Sequence, residues 1–455
     1  MANNPSLSEY LAQSQRGLYQ SVFGPEYLMK QSYFTVDTAT GIFNTTYGRK
    51  VWQALNNQTR FFNAIPRTVW GNTAGWRVRT DRGGGRSRPV TETGSLPTVD
   101  ISNIETVSSR PRVISTTFGA SVKSVFTAQL EGGVGDVLAL ENENAQLDHV
   151  KEINEELMAA SGFVVSAGST TTSTVPASVA KNIKVGDALT VWDTSANDWI
   201  NTSGVTVSGV NTSTGVITHG TTSAAVADGD GIAIYSRAGF TSIDDIVAVD
   251  GQSMGGVYDS NSNFAANGGV RAYDLTYADR TSGAWNAAAT VKDNNGTGRD
   301  LSLNLLDDCI QNIRTNGGEP KLITLGHDQY FTLERLLNSQ QRYMGQEEYQ
   351  VGVGSERTFP GTRTGLVLAT YQGIPILPDA DTPKSVSTAD AVLGSNIYIL
   401  DTDYLEIAIA QPTQYIENRD YFAANALVVR GLLFTMGELR AHRFDVHAKI
   451  GDLSA

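Results

Sequence analysis

Between residues 136 and 160, apolar positions recur at helical spacing. In "DVLALENENAQLDHVKEINEELMAA", Leu140, Leu147, Val150, Ile153 (or Asn154) and Leu157 stand seven, three, three and four apart, which predicts one buried stripe on a long helix. Asp136 suits the N-cap and Gly162 the stop. At 1.5 Å per residue such a helix is about 37 Å long. Glu141, Glu143, Asp148, Glu152, Glu155 and Glu156 fall mostly off the stripe and read as a solvated face.

Upstream the pattern changes twice. Residues 1–45 read as an arm, with Leu7, Leu11, Leu18 and Val22 spaced for a short amphipathic helix before an extended stretch. "RKVWQALNNQTRFFNAI" (49–65) reads as a helix closed by Pro66. "GWRVRT" (75–80) and "RPRVISTTFGASVKSVFTAQ" (110–129) are strand-like, with about thirty polar residues between them. The simplest geometry is an extended hairpin with a frayed tip. A lone two-stranded hairpin is marginal in water, and its edges invite another chain. The segment is therefore either disordered or held by a neighbouring subunit.

Downstream, residues 164–236 are rich in Thr, Ser, Val and Gly. Short strands are expected near 185–192, 204–210, 215–218 and 231–235, with "DTSANDW" and "NTSTG" as hairpin turns. This reads as a small β module inserted into a mixed α and β domain. "GFTSIDDIVAVDG" (239–251) suggests a short helix, then a strand or turn; 256–300 is loop-rich. Residues 301–337 read helix, strand, helix; 340–370 are polar and loop-like; 371–383 read strand and turn. Residues 396–417 alternate as a half-buried strand, and 425–453 close the chain with β segments.

Composition changes the picture only in places. The net charge of −13 has the wrong sign for nucleic-acid binding, and the single cysteine, Cys309, excludes an intrachain disulfide and reads as a buried thiol. No window nears the apolar run of about 18 residues that spans a bilayer, and the start lacks a signal peptide's apolar core. A soluble protein made and used in cytoplasm, or in something assembled there, is expected. The exception to the acidic balance is residues 76–112, where seven arginines face four acids, with no lysine. Arginine favours bidentate pairing with carboxylates. Self-association, the basic loop of one copy on an acidic face of the next, is preferred over an RGG-like nucleic-acid segment.

Catalytic patterns are weak. "GQSMGG" (251–256) contains G-x-S-x-G around Ser253, with Asp401 and His442 downstream in the order of an α/β-hydrolase. The turn-rich "GGVYDSNSNFAANGG" that follows does not supply the helix such an elbow needs, and no series of βα units precedes it. "GGVGDVL" (132–138) lacks the Lys-Ser/Thr of a phosphate loop. His442 and His447, five apart, fall on opposite faces of a strand and suit no shared metal. No catalytic residue, cofactor or metal is expected.

The ordered set of "WRVRTDRGGGRSRPVTETGSLPTVDISNIETVSSRPRVIST", the helix at 136–160, "LSLNLLDDCIQNIRTNGGEPKLITLGHDQYFTL", "YQGIPILPDADTP" with "SNIYILDTDYLEI", and "LVVRGLLFTMGELRAHRFDVHAKIGDL" resembles the major capsid proteins of tailed double-stranded DNA viruses, the Hong Kong phage type. The resemblance implies an α+β fold with an N-terminal arm and leading helix (1–70), an extended loop (71–117), a peripheral domain with a spine helix (118–163), the inserted module (164–236), an axial domain (237–400) and closing peripheral strands (401–455). It implies self-assembly into hexamers and pentamers of an icosahedral shell that encloses double-stranded DNA. The expected partners are a portal and scaffolding or decoration proteins, with no membrane. The expected location is the virion, assembled in host cytoplasm. Scaffolding, if used, is expected to be a separate protein. Arg77, Arg79, Arg82, Arg86, Arg88 and Glu92 of the loop become candidate contacts between subunits. The family's lysine-to-asparagine crosslink is not carried over, because this loop has no lysine. The rivals are a nanocompartment shell of the same fold, a serine hydrolase using Ser253, and a tail or fibre protein.

Overall fold

A computed structural model of the 455-residue chain describes residues 59–71, 75–80, 89–97, 101–123, 137–196, 198–201, 203–247, 272–273, 275, 279–280, 289–294, 296–338, 347–350, 358–361, 370–386, 392–418 and 428–454. The arm, most of the expected first helix, Asp136 and the segment around Ser253 lie outside the described residues. The described chain divides into two compact units, one holding Ser115–Lys151 and Thr413–Thr435, the other Gln58–Ile114, Glu152–Pro412 and Met436–Ala455.

Four strands carry the opening region: β1 (Arg67–Val69), β2 (Gly75–Arg79), β3 (Ile104–Ser108) and β4 (Arg112–Ser121). β2 pairs antiparallel with β3, Trp76 opposite Val107 and Arg79 opposite Ile104. The hairpin is real, but its return strand is "IETVS" inside the stretch expected to be loop. β4 instead enters a four-stranded sheet ordered β1, Leu405–Asn418, Val428–Ala441, β4. β4 has ten residues and β3 five.

In the first unit, the buried positions of the long helix are Ala145 and His149. Thr116 Oγ1 lies 3.0 Å from His149 Nδ1, His149 Nε2 2.7 Å from Thr435 Oγ1, and Thr435 Oγ1 2.8 Å from Thr413 Oγ1. This polar chain ties helix to strands. Phe118 and Tyr415 stack beside it, ring centres 5.9 Å apart.

The second unit has three apolar cores. One fills the region from Gly162 to Ser236, where seven strands follow the order 162–164, 231–236, 188–193, 205–211, 216–219, 172–174, 167–168, and 198–199 pairs with 188–193. The two turns form for local reasons. Asp193 Oδ1 accepts from the Ser195 and Ala196 amides, and Asn211 Oδ1 from those of Ser213 and Thr214, with Gly215 at φ +74°. Trp192 and Trp199 meet edge to face, 5.2 Å between centres.

The second core packs helices Leu303–Thr315 and His327–Asn338 on a six-stranded sheet, order 290–292, 448–450, 397–400, 322–325, 374–378, 370–371. Cys309 is buried there, and burial pushes its thiol up to about 12. The stretch 396–417 is two strands rather than one: Ile397–Leu400 is buried throughout, and the turn at Asp401–Tyr404 separates it from Leu405–Asn418. The polar stretch 340–370 contains a hairpin, Glu347–Gln350 with Thr358–Gly361. The third core gathers Ile153, Leu157, Phe61, Phe240, Ile243, Tyr398, Leu439 and Phe444.

Candidate functional site

Strand alternation sorts the basic hairpin into two faces. Trp76 and Val78 are half-buried against the third core, which leaves Arg77 and Arg79 exposed on the other face. Glu92 is exposed in a turn closed by the Gly94 amide on the Thr91 carbonyl at 2.9 Å. Arg82, Arg86 and Arg88 lie outside the described residues. The structure therefore places three of the six candidate contacts, all at solvent. One further arginine of the basic strip is already committed within the chain: Arg112 Nε lies 3.1 Å from Glu438 Oε2.

The same region exposes apolar surface. Val69 is 89 % exposed, Ile101 83 % and Leu96 80 %, and Val90, Ile104 and Val113 are also exposed. Single exposed apolar residues are ordinary; six within one strip, interleaved with arginines, have the composition of a contact surface. The sequence showed the charges but not these, because in a strand the apolar side chain that faces water is set by which partner the other face finds.

A set of charges is buried within the second unit. Glu438 Oε1 accepts from the Thr241 amide (2.6 Å) and the Leu439 amide (3.1 Å), and burial, outweighing Arg112, pushes its carboxyl up to about 7. Arg237 Nε donates to Asp245 Oδ2 at 2.5 Å and its Nη2 to the Ala160 carbonyl at 2.6 Å. Lys449 Nζ lies 2.7 Å from Asp244 Oδ1, which also accepts from Tyr398 Oη at 2.8 Å. Ser161 adds its amide and hydroxyl to Asp244 Oδ2. Glu156, expected on the solvated helix face, is buried, and desolvation lifts it to about 7 against Arg237 and Lys184. These groups anchor residues 237–247, where the chain leaves the β-rich region. Glu438, Arg237, Asp245, Lys449 and Asp244 are each tied to a partner, which gives them a fastening role.

The residues proposed for hydrolysis have structural occupations. Asp401 accepts from the Glu319 and Asp403 amides, and His442 Nε2 lies 3.2 Å from Glu406. Burial lowers His447 to about 3. Ser253 lies outside the described residues.

Residues 259–420 match the family model of the SU10 major capsid protein. No curated protein matches the chain. Among solved structures, the capsid asymmetric unit of cyanophage A-1(L) is similar at 14 % identity and a TM-score of 0.52, over 92 % of this chain and 99 % of that one. The structure of Gordonia phage Cozz is similar at 12 % identity and 0.45, over 92 % and 94 %, and the capsid of a native GTA particle at 11 % and 0.45, over 92 % and 98 %. The chain has the phage capsid fold of the Hong Kong type.

Proposed function

We infer that this chain is the major capsid protein of a tailed virus, a shell-forming subunit that assembles with copies of itself. The observation that carries this is the basic, apolar-studded strip of residues 67–113 on a chain whose fold is that of phage capsid proteins. Its exposed Val69, Leu96 and Ile101 gain burial only against another surface, and a shell of like subunits supplies one. The role is structural: interlocking, with no bond made or broken.

In finer terms, hexamers and pentamers close an icosahedral shell around double-stranded DNA in the virion, after assembly in host cytoplasm. A portal and separate scaffolding or decoration proteins complete it. Residues 71–117 act as the extended loop, 118–163 as the peripheral domain with the spine helix, 164–236 as the inserted module, 237–400 as the axial domain and 401–455 as the closing strands, preceded by the arm at 1–70. Arg77, Arg79, Arg82, Arg86, Arg88 and Glu92 make contacts between subunits. The acidic net charge limits adhesion of packaged DNA to the lining.

The test is electron microscopy of the purified chain with analysis of what the particles contain. Closed spheres, holding nuclease-protected DNA when isolated from producing cells, are expected. Spheres that hold only protein would reassign the chain to nanocompartment shells. A stable monomer at high concentration removes the proposal.

A further inference from the structure

The helix Leu303–Thr315 has an open groove of about 480 Å³ on its outer side. Asp307, Ile310, Gln311 and Arg314 line it at spacings of three, one and three, which place them on one helix face. Ile310 is buried and forms the base, while Asp307, Gln311 and Arg314 are exposed. Gln372, in the turn between Thr370–Tyr371 and Ile374–Pro378, lines the same groove. Its Nε2 donates to Asp307 Oδ1 at 2.6 Å, and Tyr371 Oη donates to the same oxygen at 2.7 Å, so the acidic end of the groove is held in place through one oxygen. The basic end, Arg314, lies two helical turns away. Its guanidinium has no hydrogen bond or ion pair among the described residues.

The neighbouring helix, His327–Asn338, presents the reverse form. Phe331 is 54 % exposed, while Leu333 of the same helix is buried in the second core. Tyr330, packed against that core, meets Phe331 edge to face with ring centres 5.8 Å apart, which props the ring outward. Glu334 and Arg335 follow one turn later, about 60° and about 40° round the helix to either side of Phe331. Neither side chain has a hydrogen bond or ion pair among the described residues. The two helices therefore carry complementary surfaces. The ring suits the apolar base and the guanidinium face, Glu334 suits Arg314, and Arg335 suits Asp307. Phe331 does not line the groove of its own chain, so the ring that fits it must come from another molecule. We propose that the groove on Leu303–Thr315 receives Phe331 of a second copy of this chain, with that copy's Glu334 on Arg314 and its Arg335 on Asp307. Knob and groove are different surfaces, so the contact is head to tail, and its repetition from copy to copy builds a ring where the rotation closes. The inference deepens the shell assignment and rests on it, since it names the surfaces by which copies meet within one ring.

Photocrosslinking tests the geometry. A phenylalanine analogue bearing a diazirine, placed at position 331, keeps the aromatic knob and leaves the groove unmodified. Illuminated particles run on a denaturing gel should give a covalent ladder that extends beyond the dimer, with the adducts mapping by mass spectrometry to residues 303–315 or Gln372 of a different copy. Adducts confined to single chains, adducts elsewhere, or a ladder that ends at the dimer when most chains are crosslinked overturns the proposal. A charge exchange tests the ion pair. Arg314→Glu should cut particle yield at least about tenfold, the scale of one charge-assisted contact, with the monomer's melting unchanged. Adding Glu334→Arg should restore the yield to within about twofold of the parent. Normal yield from Arg314→Glu, or no recovery in a double variant that melts like the parent, overturns the proposal. Where Arg314→Glu does not fold, the photocrosslink decides, and where the analogue blocks assembly, the charge exchange decides. Failure of the unmodified chain to form particles at all is a separate result, which removes the shell assignment itself.

Discussion

At the scale of single residues, the buried acids control pH response. Glu438 and Glu156 each titrate near 7 in the folded chain, above the ordinary 4.5, because burial favours the neutral carboxyl. A raised carboxyl binds its proton more tightly folded than unfolded, so its stabilising contribution is complete below about pH 4.5 and is lost as pH rises towards 7. The thermal midpoint should therefore fall between pH 5 and 8, and Glu438→Gln should flatten part of that fall while Gln still accepts from the Thr241 amide. A melting curve series in both proteins checks this; equal slopes would assign the effect elsewhere. Arg237→Ala should cost about 3–5 kcal/mol in denaturant unfolding, since it strands Asp245 as a buried charge.

Secondary elements differ from their sequence patterns where tertiary partners intervene. On the long helix, Val137–Leu157, the buried row is Ala145, His149, Ile153 and Leu157, a strict spacing of four, and Leu147 from the expected stripe is 39 % exposed. A histidine between two threonines displaces leucine from the packed row because its two ring nitrogens meet Thr116 and Thr435. His149→Leu should thus destabilise the chain by about 1–3 kcal/mol despite its greater hydrophobicity, by taking one hydrogen-bond partner each from Thr116 and Thr435; denaturant unfolding measures it. In the hairpin, a Cβ on Gly75 would run into the Val107 carbonyl of β3. Gly75→Ala should open the β2–β3 pair, seen as lost hydrogen-exchange protection of the 104–108 amides with the β-rich region 162–236 unchanged.

For the whole molecule, the prediction concerns closure. Arg82, Arg86 and Arg88 changed together to Glu should leave circular dichroism and the monomer's melting unchanged and abolish closed particles, scored by sedimentation. Normal particle yield would remove the role proposed for the loop in joining subunits. The basic charge of this strip stands against a net −13, so assembly of the unmodified chain should also slow as salt rises and screens the attraction.

Local information determined the elements whose cause is local. Alternation and turn residues placed strands near 185–192, 204–210, 215–218 and 231–235, and the structure has them at 188–193, 205–211, 216–219 and 231–236, because Asp193, Asn211 and Gly215 close their turns with atoms two to four residues away. The helix–strand–helix of 303–338 was legible for the same reason, as was the buried Cys309; of the basic hairpin, only its first strand was. Tertiary structure alone decided that β3 rather than β4 answers β2, that Glu156 is buried beside Arg237, and that Arg440 stacks over Trp70, 370 positions away. Strand periodicity tells which residues share a face but not which strand lies opposite; that choice depends on long-range pairing, and with it goes the burial of every charge the pairing covers.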